Sequence, residues 1–324
     1  MNPLSLLYGI AMKLRNAAYD RGWRHTHRLV KPVISVGNLS AGGTGKTPFV
    51  ILLGELLQRR GISFDVLSRG YGRRSRGTRV VEINGAASDY GDEPLLIARR
   101  LSVPVVVSES RFAAGQVAES RFNVQMHLLD DGFQHRGLAR DFDIVMLGVG
   151  DREDALLPAG RLREPHSSLR RADAIVVEEP ADLTPVADEE RLWRITRGVE
   201  FAGPLDGALA FCGIARPTRF FDQLRAGGAR LTGTRAFPDH HSYSASDITL
   251  LLKMKTETQA TCFVTTEKDE INLGQFRTQL APLVVARAMM NLHEAERLLS
   301  DMLTMVAERV GVHERIWSQN TRNE

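Results

Sequence analysis

Residues 32–50 read PVISVGNLSAGGTGKTPFV. Val33, Ile34 and Val36 form a short apolar run of the kind that makes a buried strand. Gly37, Gly42, Gly43 and Gly45 then loosen the backbone, and Phe49 to Leu57 has helical character. A strand, a glycine loop and a helix opening on Gly-Lys-Thr is the layout of a phosphate-binding loop. Backbone N–H groups from Ser40, Ala41, Gly42, Gly43, Thr44 and Gly45 are expected to face a phosphate, with the positive helix N-terminus behind them. Lys46 reaches the terminal phosphates, and the Thr47 hydroxyl ligates magnesium. The general pattern has glycine where this chain has Ser40. A glycine turn capping an ordinary helix competes with this reading. It requires neither the preceding strand nor the Gly-Lys-Thr. Pro48 suits the first turn of the helix.

Working outward from the loop, the second half of such a site is an acidic strand end. Val124 to Leu129 runs into Asp130, Asp131 and Gly132. Adjacent aspartates repel unless a cation offsets them, and an aspartate at this place holds magnesium directly or through water. A plain turn is the competing reading. Gln134, His135 and Arg136 follow closely. A strand at Phe64 to Leu67 leads into SRGYGRRSRG, which carries Arg69, Tyr71, Arg73, Arg74 and Arg76. Guanidinium groups on a glycine-rich loop suit anions, and ligands of open α/β sheets bind beyond strand ends. GDEP, Gly91 to Pro94, opens a helix over Leu95 to Leu101, where Asp92 also suits a cap. Further strands are read at Val103 to Val107, Asp143 to Leu147 and Ala174 to Val177. Strands alternating with helices predict an α/β protein with a doubly wound, largely parallel sheet.

Upstream, residues 3–19 repeat Leu7, Ile10, Ala11, Leu14 and Ala18 at helical spacing, and Lys13, Arg15, Arg21, Arg24, Arg28 and Lys31 follow against Asp20 alone. A basic amphipathic segment is a signature of membrane-surface contact. A helix packed on the core with a solvated basic face is the competing reading. Downstream, Glu179 to Asp188 is rich in proline and acid and reads as a linker. A second, smaller α/β unit follows, with strands at Leu209 to Cys212, Arg230 to Ala236, Cys262 to Thr265 and Leu283 to Ala286. It carries FPDHHSY, Phe237 to Tyr243, and TTEKD, Thr265 to Asp269. The latter superficially matches the guanine-reading element of GTPases with its lysine out of register, and is discounted. Residues after about Val312 read as a polar, frayed tail.

Composition narrows the class. The 324 residues are 43% hydrophobic and 25% charged, with a net charge of +3. Such a chain has room for two domains, and so mild a charge gives no argument for nucleic acid. Cys212 and Cys262 sit in apolar runs and read as buried thiols in a reducing compartment. No spacing suggests zinc. No apolar run approaches the length of a membrane span. The N-terminal apolar stretch is broken by Lys13 and Arg15, unlike a secretory signal.

Taken together, VGNLSAGGTGKTP, SRGYGR, GDEP, LLDDGFQH, LLPAGRLREP, FCGIARPTRFF, FPDHHSY and TTEKD, in order over residues 36–269, resemble the tetraacyldisaccharide 4'-kinase family of lipid A biosynthesis. Ser40 is no departure from that family. Arg161 stands where the family often has proline. The resemblance implies ATP and Mg2+, and transfer of the γ-phosphoryl group to the 4'-hydroxyl of a tetraacyldisaccharide 1-phosphate. It implies a peripheral enzyme at the cytoplasmic face of the bacterial inner membrane, with P-loop nucleotide-hydrolase-like domains around a cleft. The expected division is a basic helix over 1–30, a kinase core over 31–200 and a C-terminal α/β domain over 201–324. Lys46 is expected among the catalytic residues. The family points to an aspartate–histidine pair, for which Asp92 and His240 are favoured, with His241 competing. Thr47, Asp130 and Asp131 are expected at the metal, and Arg69, Tyr71, Arg73, Gln134 and His135 at the acceptor. A P-loop ATPase acting as a nucleotide-dependent switch is the alternative. It hydrolyses ATP without acceptor, whereas a kinase does not.

Overall fold

In the computed structural model the described residues are 2–148, 150–179 and 188–320, with 312–320 as backbone alone. The segment expected as a linker, 179–188, lies almost wholly outside them. In chain order the elements are α1 (Pro3–Asp20), β1 (Val33–Asn38), α2 (Lys46–Arg59), β2 (Phe64–Ser68), β3 (Arg79–Val80), α3 (Ala87–Tyr90), α4 (Asp92–Leu101), β4 (Val105–Val107), α5 (Arg111–Arg121), β5 (Met126–Asp130), β6 (Phe142–Met146) and β7 (Ala174–Glu178). Then come β8 (Leu192–Glu200), β9 (Asp206–Cys212), α6 (Pro217–Ala226), β10 (Arg230–Ala236), α7 (Ala245–Glu257), β11 (Cys262–Thr266), α8 (Glu267–Leu273), β12 (Leu283–Leu292) and α9 (Ala295–Asn320).

The twelve strands among the described residues join one sheet in the order β10-β9-β11-β12-β8-β7-β6-β1-β5-β2-β4-β3. The protein is thus α/β, and the sheet is mostly parallel, as the alternation of elements predicts. Strand β1 is wholly buried and pairs in parallel with β5 on one side and β6 on the other. Its side chains alternate. Ile34 and Val36 enter a core with α2, α4 and α9, while Val33 enters a second core beneath α5. Both faces are covered, as parallel sheets require. The central strand therefore delivers the glycine loop to the C-terminal edge of the sheet, where such folds bind ligands.

Strand β8 was not legible in the sequence. Leu192, Trp193 and Ile195 are buried, but Arg194, Arg197 and Glu200 lie among them, so the run looks polar. It pairs in parallel with β7 and antiparallel with β12. Strand β12 runs on past the expected Ala286, its first part on β11 and its second on β8. These two strands join the halves of the sheet. Helix α9 corrects the expected frayed tail, since the helical backbone continues to Asn320. Leu298, Leu299, Met302 and Val306 pack into the core of the first half, and no proline after Ala295 stops the helix.

Helix α1 is attached by its polar side. Ser5 Oγ donates to Leu156 O (2.9 Å), Tyr8 OH to Arg163 O (2.9 Å), and Asn16 to Glu164 (2.7 Å). Leu4, Leu7 and Leu14 are 61%, 62% and 66% exposed. The apolar stripe thus faces away from the protein, the reverse of a helix packed on a core.

Candidate active site

A cleft of about 700 Å³ opens over the end of β1. Its floor is the loop from Ala41 to Pro48, and its far wall carries Asp239, His240 and Lys268. The loop is shaped from beneath. Asn38 Nδ2 donates to Ser40 O (2.7 Å) and Thr44 Oγ1 (2.9 Å). Gly45, before the first turn of α2, has φ +83°, a conformation open to glycine. Ser40 lies behind the loop, its hydroxyl donating to Asp151 Oδ2 (2.9 Å), and does not line the cleft. Ala41, Gly42, Gly43, Thr44, Gly45, Lys46 and Thr47 all do.

The acidic strand end lies beside the loop. Asp130 is 3% exposed and accepts from Ser68 Oγ (3.0 Å), while its Oδ1 is buried with no partner. Burial, Glu93 and Asp131 push its carboxyl up to about 7. Asp131 behaves oppositely. Burial raises it, but Lys46 (3.5 Å) and Arg163 (3.0 Å) prevail and hold it below the usual carboxylate range. Asp131 itself sits at φ +52°. A side chain on Gly132 would meet Ser35 and Leu129, so glycine alone fits the bend that follows.

Across the cleft, Asp92 is the first residue of α4 and its carboxylate faces His240. His240 Nδ1 lies 2.9 Å from Asp92 Oδ2 and 3.1 Å from Oδ1. Asn272 Nδ2 donates to Asp92 as well (3.1 Å). Burial disfavours the Asp92 charge, but His240, Lys268 and Asn272 outweigh it and keep the carboxyl low. The hydrogen bond to Asp92 raises His240, against burial and Lys268. His240 adopts φ +57°, uncommon for a non-glycine residue, and its N–H donates to Gly213 O (3.1 Å). The competitor, His241, turns away and pairs with Asp247 (3.1 Å).

The residues expected at the acceptor separate into two groups. Arg69 and Tyr71 line the cleft, and the Tyr71 ring lies 5.1 Å from that of His240. Arg73 instead turns to Glu109 (2.6 Å) and Gly77 O (2.8 Å), bracing its own loop. Neither Gln134 nor His135 lines the cleft, and Gln134 lies under α1. Arg15 donates to Gln134 O (2.6 Å), and Gln134 Nε2 donates to Asn38 O (2.8 Å). Burial and the charges of Arg111, Arg140, Arg15 and Arg69 press His135 down to about 4.

A family model described as tetraacyldisaccharide-1-P 4'-kinase matches residues 1–307. The tetraacyldisaccharide 4'-kinase of Koribacter versatilis is 46% identical over 96% of this chain and 100% of the relative. The chain belongs to the tetraacyldisaccharide 4'-kinase family. The enzyme of that name from Shewanella sediminis is 39% identical over 86% of the chain and 82% of its own. The crystal structure of the "apo" form of LpxK from Aquifex aeolicus in complex with ATP aligns at a TM-score of 0.77. It is 34% identical, covering 95% of this chain and 97% of that one. The chain has the fold of that P-loop kinase.

Within this member of the family, several cleft residues carry no local sequence signal. Arg197 comes from β8, which sequence reading missed, and its Nη2 donates to Thr44 O (2.6 Å). Burial draws its guanidinium down to about 10. Arg111 follows a strand end in SESR, is 3% exposed and lines the cleft. Glu93 sits in GDEP, where Asp92 drew the attention. Lys268 belongs to TTEKD, which carries part of the family resemblance but gave the lysine no role.

Proposed function

We propose that this chain transfers the γ-phosphoryl group of ATP to the 4'-hydroxyl of a tetraacyldisaccharide 1-phosphate in lipid A biosynthesis, working at the cytoplasmic face of the inner membrane. The observation that carries this reading is the opposition of a phosphate loop and an aspartate–histidine pair across one cleft. Phosphoryl transfer demands mostly positioning and charge stabilisation. Lys46, its ammonium tied to Asp131, supplies charge at the phosphate end. Asp92 holds the His240 ring and stabilises it as it gains the hydroxyl proton, while Nε2 takes that proton. Arg69, Tyr71 and Arg163 border the space between and suit the acceptor's phosphate and sugar.

A divalent cation fits this cleft. Asp130 has an unpartnered buried oxygen and a carboxyl raised by neighbouring acids, the condition a cation relieves. Among the described residues no three His, Cys, Asp or Glu side chains form a closed cage. Magnesium is held by one or two carboxylates and substrate phosphates. Thr47 and Asp130 would hold it, with Asp131 beside them bound to Lys46 and Arg163. The metal would offset charge on the transferring group.

In this reading residues 31–200 are the kinase core and 201–324 supply the opposing wall, apart from α9, which returns to the core. A second reading, the nucleotide-driven switch, is separated by ATP consumption with and without the disaccharide lipid. ATP turnover is expected to fall near background without acceptor. Hydrolysis at the same rate in both would replace the kinase with the switch.

The outward apolar stripe of α1 supports membrane contact. Trp23 and Val30 are also exposed, at 75% and 83%, and Arg21, Arg24 and Lys31 lie nearby in the chain, while Arg28 is bound to Asp141 (2.7 Å). Among the described residues no helix is long and apolar enough to cross a membrane. Each basic residue near anionic lipid contributes on the order of 1 kcal/mol. Co-sedimentation with anionic vesicles is expected to weaken with salt and on deleting residues 1–20. Binding unaffected by either change would remove this segment from the membrane.

A further inference from the structure

Lys268 is a cleft residue to which the mechanism above gives no task. It lies in the first turn of α8, within the TTEKD stretch. The rest of that stretch explains its placement. Asp269 is fully buried and accepts from Gly213 N (2.7 Å), Tyr243 OH (2.8 Å) and Thr266 Oγ1 (2.6 Å). One carboxylate therefore ties β9's end, the FPDHHSY loop and the start of α8 together. His240 and Lys268 are both held from this knot.

The Lys268 side chain is 15% exposed. Its ammonium lies 3.4 Å from Glu93, 3.6 Å from Asp239 and 3.7 Å from Asp92. Burial disfavours the charge, but these three carboxylates outweigh it and keep the amine above its usual range. The shortest contact of the ammonium is to none of them. It lies 3.2 Å from Nε2 of His240. An ammonium has donors and no acceptor, so Nε2 presents its lone pair to Lys268. The ring proton then sits on Nδ1, facing Asp92.

We propose that Lys268 is a positioning residue for the proton transfer: it fixes His240 as the Nδ1–H tautomer, and its ammonium occupies the place from which the acceptor hydroxyl donates to Nε2. This rests on the Asp92–His240 reading. When the acceptor enters, the hydroxyl displaces the ammonium, which keeps Glu93 and Asp239 as partners. The O–H bond then breaks toward Nε2. The oxygen forms its bond to the γ-phosphorus, and the bond from that phosphorus to the ADP oxygen breaks. His240 ends as an imidazolium held by Asp92. A lysine cation beside the ring also opposes its premature protonation, against the pull of Asp92.

Among the described residues the groups facing His240 are Asp92 from α4, Tyr71 from the loop after β2, Asp239 from its own loop and Lys268 from α8, with Glu93 of α4 beside the Lys268 ammonium. Removing the one cation among them raises the histidine. In Lys268→Met the acidic limb of the kcat–pH profile is therefore expected to move up by about one pH unit. Lys268→Arg keeps the charge and is expected to keep the limb within a few tenths. An unmoved limb in Lys268→Met, whatever its kcat, overturns the proposal. A second measurement needs no variant. In the intact nucleotide-free enzyme, 15N shifts of His240 are expected to show a protonated Nδ1 and an unprotonated Nε2, and the opposite tautomer also overturns it. His240→Ala separates the two readings. Wild-type turnover in that variant removes the dyad and Lys268's role together. A dead His240→Ala with an unmoved limb in Lys268→Met removes only the latter.

Discussion

Lys46→Ala is expected to lower kcat by roughly 10²- to 10³-fold or more while leaving the fold intact. The lysine pairs with Asp131 at 3.5 Å and lines the floor of the cleft at the start of α2. The helix it opens is held by other residues. Phe49, Val50, Leu53 and Leu57 are buried in the main core. Loss of the ammonium therefore removes charge at the transferring phosphate without removing packing. Asp131 keeps Arg163 at 3.0 Å, so no carboxylate is stranded. The checks are single-turnover kinetics and a melting curve. A folded Lys46→Ala enzyme with near-normal turnover would take the lysine out of the chemistry.

Asp92→Ala and His240→Ala are each expected to cost roughly 10²- to 10⁴-fold in kcat, with ATP affinity retained. The two side chains meet at 2.9 Å from opposite walls of the cleft. Neither can orient or stabilise the proton acceptor alone. The double variant is then expected to be little worse than either single one, because residues acting as a unit are not additive. A helix-capping role for Asp92 predicts something else, a loss of about 1 kcal/mol of stability with chemistry intact. The geometry disfavours it, since Gly91 is the N-cap and Asp92 Oδ1 accepts only the adjacent Glu93 N–H (2.9 Å) at the helix start. Losses that multiply in the double variant would separate the two residues.

The sequence by itself determined the parts of the site that lie next to one another in the chain. Strand, glycines, lysine and threonine in residues 33–47 are one continuous device, whose geometry follows from local backbone chemistry. The same holds for Asp130 and Asp131 at the end of an apolar strand. It holds also for the core strands, whose unbroken apolar runs reflect burial on both faces. The division of the acceptor residues was not local. Arg73 and Arg69 share a loop and a charge, yet Glu109 claims the first and the cleft receives the second. Gln134 and His135 look as polar as any ligand-binding pair, but neither lines the cleft, and α1 docks over Gln134 through Arg15. The outward turn of α1 was equally invisible, because periodicity marks an apolar stripe without saying which way it faces. Strand β8 was missed because Arg197 reaches a cleft that only the folded sheet creates, while Arg194 turns to Glu189.

Only the tertiary structure decided that His240 rather than His241 meets Asp92. The two histidines are adjacent and chemically alike. A left-handed backbone at His240, held by Gly213, sends one ring to α4, while the next ring pairs with Asp247. The partners lie far apart in the chain, and their meeting depends on β8 and β12 joining the two halves of the sheet. Sequence chemistry fixes what each side chain can do, through short-range backbone and burial preferences. Which charges and lone pairs come within 3 Å of one another is set by long-range packing.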